Sequence, residues 1–200
     1  MQAESTHPSL LERIRDLDDQ VAWREFDERY RDLILRYAQR RGLQPMDAED
    51  IRQLAVMAIA RSIGRFTYRP TVGRFRDYLR VIVRNLVHHH FADQGRTQER
   101  SMSDVLDQVD LNAPNPDHDE AWEEEWRLHH YRLAMSVVRQ SLTEKSLSIF
   151  EALLEGQTVE EISRRFETTP DVIYKVKQRV RERLAAQVAS QIRDESLPPG

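Results

Sequence analysis

The chain has 200 residues, enough for one domain or two small ones, and no cysteine, which excludes disulfides and thiolate metal sites. With 40% hydrophobic and 32% charged residues it suits a folded, soluble protein rather than a disordered one, and no apolar run approaches the length of a bilayer span. The net charge of −4 is unusual for a nucleic-acid binder, but the charge is unevenly placed. From Ser101 to Trp126 there is no Lys or Arg, whereas Asp104, Asp107, Asp110, Asp117, Asp119, Glu120, Glu123, Glu124 and Glu125 are acidic, so the flanking segments are locally basic. The N-terminus has no basic segment followed by an apolar core, so the expectation is a cytoplasmic protein without a secretory leader.

The apolar periodicity is helical throughout. A short helix is expected over about 9–16. A second begins near Asp18 or Asp19, either a suitable N-cap, and carries Trp23, Phe26, Tyr30, Leu33, Ile34 and Tyr37 inward before ending near Gly42. Pro45-Met46-Asp47 opens a third with Ile51, Leu54, Ala55, Ala58 and Ile59 inward. After a loop over 66–73 containing Pro70, a fourth runs from Phe75 to about Phe91. Residues 101–119 read as a linker, because Asn112-Ala113-Pro114-Asn115-Pro116 breaks helices. A helix over about 121–140 follows, with Trp122, Trp126, Tyr131, Leu133 and Val137 expected to be buried. The next spans about Thr143–Leu154 and stops at Gly156. The expected fold is all-α: two small helical domains joined by a flexible acidic linker. The expected boundaries are an N-terminal extension at 1–19, a first domain at 20–100, the linker at 101–126, a second domain at 127–193 and a tail at 194–200.

Two patterns carry chemistry. In the first, Arg76, Arg80 and Arg84 repeat every fourth residue and share one face of the fourth helix, with Arg74 just before it and Phe75 and Tyr78 among them. Phe66 and Tyr68 lie in the preceding loop. Cations in a row beside aromatics suit a phosphate track with unstacked bases, although a solvated basic face has the same pattern. In the second, Val159, Ile162 and Phe166 line one face of a short helix, Glu167-Thr168-Thr169 makes a turn, and Thr169-Pro170 starts a longer helix. That helix buries Val172 or Ile173, Val176, Val180 and Leu184, and carries Lys175, Lys177, Arg179, Arg181 and Arg183 on its other faces. This is a helix-turn-helix whose second member would enter a major groove; an ordinary helix pair with a charged outer face competes with that reading.

Together these patterns resemble a bacterial RNA polymerase sigma factor of the compact extracytoplasmic-function type, with only regions two and four. The resemblance covers about residues 20–100 and 127–190. Asp47-Ala48-Glu49-Asp50-Ile51-Arg52-Gln53 is similar to the family's acidic-then-Gln motif, and Gly73 to Asn85 is similar to its promoter-melting segment. The resemblance implies that Asp47, Glu49, Asp50 and Gln53 face the clamp coiled coil of the largest subunit of core RNA polymerase, and that the second domain meets the flap of the second subunit. It implies that Arg74, Arg76, Arg80, Arg84 and Asn85 hold promoter DNA around the upstream-of-start element. Lys175, Lys177, Arg179, Arg181 and Arg183 would then read the distal element. An anti-sigma factor is a common partner in the family; no cofactor and no membrane contact are implied.

The chain departs from the family pattern at three places. Val56 stands where a Phe is usual, His88-His89-His90-Phe91 replaces an acidic and basic stretch after Asn85, and Glu167 occupies the turn position usually held by Gly. If that turn requires a positive φ, Glu167 costs roughly 1 kcal/mol. The histidines at 88–90 and at 129–130 are expected as partly exposed imidazoles rather than metal ligands, because adjacent helical residues point apart. Protonating His88, His89 and His90 beside DNA would tighten binding at low pH. Glu120, Glu123, Glu124 and Glu125 read as a solvated helix start, and the acidic segment as a shield over the basic faces when polymerase is absent. No catalytic arrangement or nucleotide motif is present in the sequence, so no enzyme activity is expected. A stand-alone helix-turn-helix regulator and a degenerate, protein-binding adaptor are the rival functions.

Overall fold

The computed structural model describes residues 10–65, 75–93 and 119–195. Their elements are α1 (Leu10–Arg13), α2 (Gln20–Arg40), α3 (Pro45–Ser62) with a 3-10 turn at Ile63–Arg65, α4 (Phe75–Asp93), α5 (Glu120–Gln140), α6 (Glu144–Leu154), α7 (Val159–Arg165) and α8 (Pro170–Asp194). The architecture is all-α, with no strand among the described residues, and none of these helices is long and apolar enough to cross a membrane. The chain divides into two compact units, one of residues 1–127 with 194–200 and one of residues 128–193.

Local chemistry sets the helix ends. Asp19 caps α2 by accepting the Ala22 N–H at 2.8 Å, and chiefly that bond holds its carboxyl below the usual carboxylate range. Pro45 stands at the first turn of α3, where its missing N–H leaves no bond unmade. Thr158 and Glu161 form a reciprocal capping box at the start of α7. Three helices end alike: Leu43 N–H reaches Ala38 O, Gln157 N–H reaches Ala152 O and Thr168 N–H reaches Ser163 O, each at 3.0–3.2 Å. Each closure passes through a left-handed residue, Gly42 (φ 103°), Gly156 (φ 82°) and Glu167 (φ 46°) respectively. The positive φ anticipated at Glu167 is therefore present in a residue with a Cβ.

The first unit is built on aromatics. Phe26 and Tyr30 of α2 pack at 4.8 Å between ring centroids, and Phe75 of α4 meets Tyr30 at 5.4 Å. Phe75 is thus a core residue and not a surface platform. The first turns of α5 belong to this same core. Trp122 is fully buried with its ring edge-on to Tyr37 at 5.1 Å, and Trp126 lies 5.8 Å from Trp122. These two large rings add several kcal/mol of apolar burial at about 25 cal/mol per Å².

The second unit is centred on Met135, Val138, Ile149, Phe150, Ile162, Ile173, Val176 and Val180, with Phe166 and Leu184 packed against it. Of the pair Val172 and Ile173, Ile173 is the buried one. Two expectations for α5 are corrected. Tyr131 and Val137 are exposed, at 42% and 46%, whereas His129 and His130 are buried. The Gln191 amide, oriented so that all its partners are satisfied, donates to His130 Nδ1 at 3.0 Å and accepts from the Ala134 N–H at 3.2 Å. Hydrogen bonding of this kind lets an imidazole occupy a core position that the sequence pattern assigns to an apolar residue.

Candidate nucleic-acid interface

On α4 the four-residue spacing does place Arg76, Arg80 and Arg84 on one side of the helix, but α5 begins there. Arg76 pairs with Glu123, and its guanidinium lies 5.6 Å from the Trp126 ring. Arg80 is 7% exposed; it pairs with Asp77 one turn back at 3.1 Å and with Glu123 at 3.6 Å. Arg84 is half-buried and donates to the Asn85 side-chain oxygen at 3.3 Å. Tyr78 is half-buried, bonded to Ser62 at 2.6 Å, and burial pushes its phenol up to about 12. Arg74, Phe66 and Tyr68 lie outside the described residues.

The end of α2 adds cations that periodicity did not single out. Arg40 pairs with Glu124 and, at 3.3 Å, with Glu125; Arg41 stands 3.7 Å from Asp119. Asp119 does two jobs. One oxygen accepts the Trp122 N–H at 3.2 Å and so caps α5, and the other accepts the Tyr37 hydroxyl at 2.6 Å. Burial opposes ionisation of Asp119, but the bonds from Tyr37 and Trp122 and the charge of Arg41 outweigh it and hold the carboxyl below its usual range. Beside these pairs, Arg40, Arg41, Arg84, Asn85, Val87, His88 and Phe91 line an open groove of about 730 Å³. Glu120, Glu123, Glu124 and Glu125 do not form a solvated helix start as expected: three of the four are in ion pairs with α2 or α4.

Helix α3 divides the acidic motif by role. Glu49 is half-buried between Arg31 (3.2 Å) and Arg52 (2.8 Å), and Arg52 also meets Asp27. Asp47 has the His90 imidazole at 3.9 Å. Asp50 and Gln53 are exposed, and Met46, 80% exposed, stands one turn before Asp50. Met46, Asp50 and Gln53 therefore make one open stripe at four- and three-residue steps, with an apolar member that the acidic motif alone does not advertise.

In the second unit, α7 and α8 are joined by a turn over 166–169. The five cations in the first half of α8 (Lys175, Lys177, Arg179, Arg181 and Arg183) are exposed, as are Val172 and Tyr174. Arg183 bends back to donate to Ser141, through both the carbonyl and the hydroxyl, at 2.9 Å.

Residues 26–97 match the family model of Sigma-70 region 2. The matched stretch starts within α2, takes in α3 and runs past the end of α4. It holds the open stripe of α3 and the arginines of α4, but not the acidic start of α5. No curated protein matches the chain.

Proposed function

We propose that this protein is an alternative sigma factor of the extracytoplasmic-function type, which binds core RNA polymerase in the cytoplasm and directs it to promoters. The observation that carries the reading is the Sigma-70 region 2 match over residues 26–97, a region whose known role is promoter recognition within the polymerase. The first unit supplies an exposed docking stripe, Met46, Asp50 and Gln53, suited to the clamp coiled coil because carboxylate, amide and thioether side by side fit a helix face of mixed polarity. Arg76, Arg80, Arg84 and Asn85, with Arg74 before them, are the region-two contacts to melted DNA. Asp47 and Glu49 support the docking face through His90, Arg31 and Arg52.

The second unit acts as region four. Its exposed cations on α8 have the placement of a recognition helix, following a tight turn and standing opposite a buried apolar stripe. Lys175, Lys177, Arg179, Arg181 and Arg183 would bind the distal promoter element, with the polymerase flap holding the unit in register. An anti-sigma factor would restrain the protein by covering one of these surfaces.

Binding to purified bacterial core polymerase tests the proposal. The wild-type chain should co-elute with core enzyme, and Asp50→Arg with Gln53→Arg should lose at least tenfold in affinity while keeping the helical circular-dichroism signal. Failure of the wild-type chain to bind would favour the stand-alone regulator.

A further inference from the structure

The carboxylates of α5 are not scattered over the first unit; they meet one set of guanidiniums. Glu123 serves Arg76 and Arg80, Glu124 and Glu125 serve Arg40, and Asp119 serves Arg41. A helix start that presents four acidic groups to four arginines has the charge and the oxygen chemistry of a short run of nucleic-acid phosphates. Trp122 and Trp126 fasten it by burial, so the carboxylates are held at the arginines rather than sweeping through solvent.

We infer that the first turns of α5 are a built-in phosphate mimic, and that DNA backbone and α5 compete for Arg40, Arg41, Arg76 and Arg80. This rests on the promoter-binding reading of α4 and extends it in two ways. It adds Arg40 and Arg41, at the end of α2, to the nucleic-acid surface; they continue into the open groove with Arg84, Asn85 and His88. It also makes the free protein a weak DNA binder by construction, since its apparent affinity is the intrinsic affinity scaled by the fraction of molecules in which α5 has left the arginines. The net-acidic charge of the whole chain is then a feature of the resting state and not an argument against DNA binding.

The test uses the full chain and a fluorescein-labelled forked DNA of mixed sequence, with anisotropy followed across a salt series. The double variant Glu123→Gln, Glu124→Gln should bind about tenfold more tightly than wild type, as a resting state closed in about nine molecules of ten requires. Glu28→Gln with Asp32→Asn, which removes the same charge from exposed positions on α2, should change affinity less than about twofold. Adding Arg40→Ala and Arg76→Ala to the first variant should abolish the gain and flatten the salt slope by about 0.7–0.9 per lost phosphate contact. Equal tightening by both charge-matched variants, or none by either, overturns the inference while leaving DNA binding in place. No binding by any variant at low salt overturns the mimicry, whereas the promoter-binding reading stands or falls on transcription with core polymerase.

Discussion

The two basic helices of this chain look alike in sequence and differ in what surrounds them. On α4, Arg76 and Arg80 are in ion pairs with an acidic helix start, and Arg80 is almost fully buried. On α8, five cations stand exposed along 175–183. A cation in the first setting contributes to the fold before it can contribute to binding; in the second, Arg183 is bonded elsewhere, to Ser141, and the exposed Lys177 is available at once. Substituting the same residue type in the two places should therefore give opposite signatures, one in stability and one in affinity.

The largest contrast is expected in the packing that brings α5 to α4. Trp122→Ala removes a fully buried indole and should lower the unfolding free energy of the first unit by about 3–5 kcal/mol in a urea titration. Tyr131→Ala, on an exposed face of the same helix, should stay within about 0.5 kcal/mol. Equal losses would mean that α5 is held along its whole length and not by its tryptophans. The arginine contrast comes next. Arg80→Ala should cost about 1–2 kcal/mol, because Asp77 and Glu123 lose a shared, largely buried partner. Lys177→Ala should leave stability unchanged within about 0.5 kcal/mol and lower the salt slope of DNA binding by about 0.9.

A smaller effect is expected at the α7–α8 turn. Glu167 has φ 46°, where a Cβ is strained, so Glu167→Gly should stabilise the second unit by about 0.5–1 kcal/mol. Thermal unfolding checks this, and a loss of stability would show that the Glu167 side chain has a partner worth more than the strain. Acid provides the mildest probe. Asp119 has a folded-state pKa below its ordinary value of 3.8, so its contribution is fully present above that value and disappears as pH falls through the lower, folded one. Tryptophan emission should accordingly report release of the α5 start only at strongly acidic pH, and Asp119→Asn should remove that dependence. Glu161 follows the same sign at the start of α7, since its bonds to Thr158 depress it.

Much of the fold was legible because its signals are local. Asp19 as cap, Pro45 as first turn, and Gly42 and Gly156 as stops each need only neighbouring residues to act, and the inward faces of α2 and α3 follow from period alone. What the sequence leaves out shares a cause. The burial of Trp122 and Trp126 follows from their helix, but nothing in that helix says that they join the core of Phe26, Tyr30 and Phe75. The pairing of Glu123 with Arg76, 47 residues away, is invisible to any helical window, so the acidic run reads as solvated. His129 and His130 read as partly exposed because burial of an imidazole depends on a partner such as Gln191, 61 residues on from His130. In the candidate site, the residue types and spacing on α4 and α8 were legible; which of them are already occupied, and the contribution of Arg40, Arg41 and Met46, required the tertiary structure.

The most direct test of the sigma-factor proposal is genome-wide run-off transcription with bacterial core RNA polymerase, with and without this protein. Discrete new start sites that share an upstream motif are the predicted result, and they would supply the promoter sequence in the same experiment. Stable binding to core enzyme with no new start sites would contradict it and identify the chain as a sigma-like adaptor that occupies polymerase without initiating.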